Sequence, residues 1–109
     1  MRLHHVTLAR SLAGICRGGL LASKSQGRLP AVWLCSAAKT PWAAIHVVKR
    51  HGGRIENVVI LQIDVPRRWL RRSKRGLWYT LRDVPAGRIR GLITYAALAR
   101  SPVEETAGH

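Results

Sequence analysis

A chain of 109 residues is the length of one domain, and 47% hydrophobic against 22% charged residues supplies a modest core, which excludes a disordered segment. Nineteen Lys and Arg against five Asp and Glu leave a formal charge of +14, which favours polyanions such as RNA, DNA or an anionic membrane surface and would attract a small phosphorylated ligand. No apolar run reaches the ~18 to 20 residues of a membrane span, and a membrane is not expected as a partner.

The two cysteines, Cys16 and Cys35, form no close pair, which argues against a zinc site or a disulfide framework. They are read as two buried free thiols of a reducing compartment, and the expected location is cytoplasmic. No metal site is expected. The stretch before Glu56 carries no acid and has the composition of a transit peptide, but its strand-like and helix-like order reads as folded structure.

In chain order, Leu3 to Thr7 reads as a strand. Leu8, Leu12 and Ile15 recur at helical spacing, with Thr7 as the expected N-cap and Gly18-Gly19 as the stop. Ala22 to Pro30 reads as a loop, and Ala31 to Ser36 as a short buried strand. In "KTPWAAIHVVKRHGG", Thr40 is the expected cap, Pro41 fits the first helical position, and Trp42, Ile45 and Val48 or Lys49 follow at helical spacing. Gly52-Gly53 ends this helix. Val58 to Val65, "VVILQIDV", is nearly continuous apolar sequence and reads as a central strand that Pro66 breaks.

Arg67 to Gly76 reads as a basic short helix or loop. Leu77 to Arg82 and Arg88 to Tyr95 read as two further strands around a turn at Val84 to Gly87. Residues 1–100 are taken as one compact domain and 101–109 as a flexible tail. Two helices ahead of most of the strands indicate an α+β class.

Arg67, Arg68, Arg71, Arg72, Lys74 and Arg75 fall within ten residues and surround Trp69. Guanidinium forks suit phosphates and an indole stacks on a base, so this segment is the expected nucleic-acid surface. His46 and His51, on or just after the second helix, read as solvated.

"HVT" at His5 to Thr7, "IxxxGL" from Ile15 to Leu20, "VWLCS", then a helix, "VVILQIDVP" and "WYTLRDVPAGRI" follow one another in an order that resembles the ADP-ribosyltransferase superfamily. Within it, the chain looks most like the RNA 2′-phosphotransferase C-terminal lobe and small toxin-like relatives. The resemblance implies two short helices packed on a split, mainly antiparallel sheet, with NAD as cofactor in a cleft between two small sheets. It implies attack at the ribose carbon that bears nicotinamide, through an oxocarbenium-like state, with nucleic acid or its terminal phosphate as acceptor.

Carried onto this sequence, the resemblance makes His5 and Arg82 the catalytic candidates. It makes His5, Thr7, Trp33, Ser36 and Tyr79 the cofactor-binding candidates. Residues two apart on a strand share a face, which suits His5 with Thr7 and makes His4 the structural neighbour. The chain departs from the family pattern in two ways. Many of these transferases carry a Glu at the start of a late strand, where this sequence has Gly76-Leu77-Trp78, and Asp83 comes too late to replace it. The RNA 2′-phosphotransferases rely on arginines instead, which suits Arg82 and Arg28, but they use a further N-terminal lobe that a partner chain would have to supply. Their Arg-x-His-x-His-like run has no counterpart in "GRLPAVWLCS". These departures keep two alternatives open: a catalytically silent nucleic-acid-binding domain of the same fold, and a basic structural protein of the ribosome-associated kind.

Overall fold

The computed structural model describes residues 1–24 and 29–98. Apolar and β-branched residues in short runs, separated by Gly and Pro, give six strands: β1 (Arg2–Leu8), β2 (Val32–Cys35), β3 (Val58–Asp64), β4 (Arg71–Lys74), β5 (Leu77–Thr80) and β6 (Ile89–Thr94). Between them lie α1 (Leu12–Gly18) and α2 (Thr40–His51), and a third helix begins at residue 95. The class is α+β, as the sequence indicates.

The strands form one sheet in the order β4-β5-β2-β1-β3-β6, and each pairing is antiparallel. The pairings are unequal. β1 and β3 match along seven residue pairs, from Arg2 with Asp64 to Leu8 with Val58. β1 and β2 meet at a single pair, His4 with Cys35. The sheet is therefore two three-stranded halves joined at one point.

Strand periodicity divides the core between the two faces. Leu3, Val32, Leu34, Leu61 and Ile63 pack on one side with Leu20, Val65 and Val84, under Leu12 and Ile15 of α1. Leu8, Val58 and Ile60 pack on the other with Ala44, Val47 and Val48 of α2. β3 lies between β1 and β6 with a core on each face, which is why Val58 to Leu61 are buried without alternation. Gly19, with φ +78, closes α1 where a Cβ would collide with the Val84 carbonyl, and Leu20 pairs with Val84 directly after it.

Several local expectations change. Thr7 does not cap a helix: β1 runs through it to Leu8, and a 3-10 turn at Ala9–Ser11 leads into α1. Thr40 lies inside the first turn of α2, fully buried, with Lys39 at the N-cap. Trp42 and Ile45 point outward, 43% and 48% exposed, because Ala44, Val47 and Val48 supply the packed face. Arg67 to Gly76 is a 3-10 turn followed by an edge strand, since Gly76 at φ +75 permits a two-residue hairpin turn between Lys74 and Leu77. Cys35 is buried but Cys16 is exposed on α1. Residues 25–28 of the expected loop, and the tail at 101–109, lie outside the described residues.

Ile60 is fully buried in the middle of β3. Ile60→Ala is expected to lower stability by about 2 to 5 kcal/mol in urea denaturation, with unchanged slope.

Candidate functional site

The expected site residues fall into separate groups around the single residue pair that joins β1 to β2. The ladder between the two strands ends at His4 and Cys35, and a further hydrogen bond between them is made by a side chain. His5 Nδ1 lies 2.9 Å from the Trp33 carbonyl oxygen. A carbonyl can only accept, so Nδ1 carries the proton, and in the neutral ring Nε2 is left as an acceptor. Burial pushes the His5 pKa below its ordinary value, against a smaller opposing effect of the Trp33 hydrogen bond. Nε2 is thus suited to receive a hydroxyl proton, such as that of a ribose.

His4 is held on the opposite face. Its Nδ1 lies 2.8 Å from Thr40 Oγ1, which also donates to the Ser36 carbonyl at 3.2 Å and lies 3.7 Å from Cys35 Sγ. The Thr40 hydroxyl spends its one proton on Ser36, so His4 donates to it. Burial lowers the His4 pKa and raises that of Cys35, which keeps both neutral. The histidine doublet therefore straddles the sheet, with His4 toward α2 and His5, beside Thr7 on the same strand face, toward α1.

Trp33 and Tyr79 are cross-strand partners whose rings lie 5.0 Å apart and tilted 39°. Trp33 is two residues from Cys35, so its side chain shares the α2 face, opposite to that of His5 and Thr7; His5 touches the Trp33 backbone only. Ser36 lies past the joining pair, where its N–H donates to the Gly76 carbonyl. Arg82 is exposed, and its guanidinium sits 4.8 Å from the centre of the Trp69 ring, with Arg88 at 5.2 Å. Thus His5 and Thr7 come together, Trp33 and Tyr79 come together, and Ser36 and Arg82 stand apart from both pairs. Arg28 lies outside the described residues.

The basic cluster is exposed along its length. Arg67 and Arg68 are on the 3-10 turn, Arg71, Arg72 and Lys74 on β4, and Arg75 in the hairpin turn. Arg72 lies over its cross-strand neighbour Trp78 at 5.5 Å. Lys74 and Lys39 both lie over Trp42, at 6.0 and 5.2 Å, and His46 stacks on that indole at 5.1 Å and 11° from parallel. An open groove of about 650 Å³ adjoins this cluster. It is bordered by Met1 to Leu3, the Ser36 to Lys39 turn, Arg75, Gly76 and Trp78, and none of its lining residues is acidic. Sequence patterning gave neither Trp42 nor Lys39 a binding role; the outward register of α2 and the hairpin bring them to Lys74. His51, expected to be solvated, is half-buried, and burial, then Arg50, Arg10 and His46, lower its pKa.

No protein-family model matches the chain, and no curated protein matches it. Among the described residues no group of His, Cys, Asp and Glu could hold a metal ion, and no helix is long and apolar enough to cross a membrane.

His4, His5 and His51 share a lowered pKa. A group whose folded pKa lies below its unfolded value takes up protons on unfolding, so its stability is held above the unfolded value and lost as pH falls. Denaturation midpoints are expected to be flat above about pH 6.5 and to decline below it. The decline should be shallower in a His4→Gln, His5→Gln double variant.

Proposed function

We propose that this chain is an ADP-ribosyltransferase-like domain that binds NAD in the gap between β1 and β2 and acts on nucleic acid, in a reducing compartment such as the cytoplasm. The single observation that carries the reading is the parting of the sheet after one residue pair, with the His-x-Thr strand on its border and His5 Nε2 left as an acceptor. A nicotinamide ribose seated there would give a hydroxyl hydrogen bond to His5. In the reaction the bond from ribose to nicotinamide breaks, nicotinamide leaves, and an oxygen or nitrogen of the acceptor bonds to the same carbon as it loses its proton. The exposed cations of the β4–β5 hairpin would hold the acceptor's phosphates.

A second reading, a binding domain without transfer, is favoured by the placement of the acids. Asp64 is engaged by Arg90 at 3.8 Å, Asp83 accepts the Ala22 N–H at 2.8 Å, and Glu56 faces Arg54 at 4.0 Å. β5 begins Leu77-Trp78, where the transferases have their Glu.

Calorimetric titration with NAD and with ADP-ribose tests the pocket. Binding is expected to weaken by about 1 to 3 kcal/mol in His5→Ala and to change little in a Lys49→Ala control. Absence of any heat with either ligand would refute it. Incubation with NAD and an oligonucleotide, read by mass spectrometry, separates transfer from binding alone. In oligonucleotide binding, changing Arg71, Arg72 and Lys74 together to Ser is expected to flatten the logarithmic salt dependence by about 0.7 to 0.9 for each phosphate no longer neutralised.

A further inference from the structure

The basic run does not end at the sheet edge. Lys74 crosses from β4 to the ring of Trp42 on α2, and Lys39 reaches the same ring from the turn before that helix. Two elements distant in sequence thus place cations on one exposed indole, 43% accessible, whose plane is fixed by the stacked His46. A solvated basic face needs no such convergence. Lys39 also borders the groove, so the platform and the groove are continuous.

The groove supplies the rest of a strand-binding surface. Arg2, Lys39 and Arg75 line it and no carboxylate does, so the charged side chains that line it are all basic. Gly76 shapes it: a Cβ there would stand 2.7 Å from Lys39 Cγ and 3.0 Å from Ser36 Oγ, so only glycine lets the hairpin turn close against the turn before α2.

We propose that this groove and the Trp42 platform together bind single-stranded nucleic acid, with phosphates on Arg2, Lys39, Lys74 and Arg75 and an unpaired base on Trp42. A duplex offers phosphates but hides its base faces, whereas a base face can take the place of the two flexible lysine heads that lie over the exposed Trp42 ring, which then turn to the phosphate beside it. The proposal rests on the nucleic-acid half of the function given above and is independent of NAD.

The test is fluorescence anisotropy at fixed salt on the full chain. The probes are a labelled single-stranded RNA or DNA, the duplex of the same sequence, heparin as a competitor without bases, and vesicles of anionic lipid. The single strand is expected to bind more tightly than the duplex and to resist heparin better. Trp42→Ala should weaken the single strand by about five- to a hundred-fold while leaving the duplex nearly unchanged, and Trp42→Phe should restore most of the affinity. Trp42 is at the surface, so circular dichroism should be unaltered in both variants.

Equal affinity for single strand, duplex and heparin, indifferent to Trp42→Ala, would overturn the proposal and leave the broader reading of a phosphate-binding surface standing. Binding to the lipid vesicles alone, abolished in Trp42→Ala, would overturn it in favour of a membrane surface. No binding to any nucleic acid would overturn both the proposal and the nucleic-acid half of the function.

Discussion

The two halves of the sheet meet at His4 and Cys35, and the Thr40 hydroxyl binds that meeting point to α2. A single residue pair provides little ladder, so the junction depends on this buried contact to hold its geometry. Thr40 is fully buried, and its oxygen and proton are both used. Replacing a group of this kind leaves donors stranded away from water, which costs more than the hydrogen bond itself contributes. The ladder between β1 and β2 ends at this point.

The adjacent histidines follow from the same constraint. Successive strand residues face opposite sides, so a doublet at the junction secures it on both faces. His4 ties it to the helix, and His5 bridges the gap to the Trp33 backbone. One imidazole is consumed in structure. The other, on a strand held by seven pairs to β3, has no partner for its second ring nitrogen among the described residues.

The charge surplus has a structural counterpart in the tryptophans. With nineteen basic residues and five acids, most cations have no carboxylate to meet. Several rest on aromatic faces instead: Arg72 on Trp78, Arg82 and Arg88 on Trp69, Lys39 and Lys74 on Trp42. Such contacts are weak at exposed sites and leave the cation's charge uncompensated. The surface therefore stays available to phosphates. An exposed, charged β4 also protects the sheet edge from pairing with another chain.

The sequence by itself determined the elements whose signal is local. Near-continuous apolar residues made β3 legible, Pro41 and Gly52 bounded α2, and alternation placed His5 with Thr7. Composition alone announced the basic surface. Tertiary structure decided what depends on neighbours. Helical spacing cannot say which stripe of α2 is buried; the face offered by β1 and β3 chose Ala44, Val47 and Val48 and turned Trp42 outward. A run of arginines has no strand signature, and β4 exists because Gly76 turns the chain back and β5 supplies a ladder. The order of residues along β2 gave Trp33 and Ser36 as one wall, but alternation sets Trp33 on the α2 face with Cys35, and the chain leaves the strand before Ser36, which borders the groove. No local pattern encodes where two strands will separate, because that is fixed by what packs on each side of them.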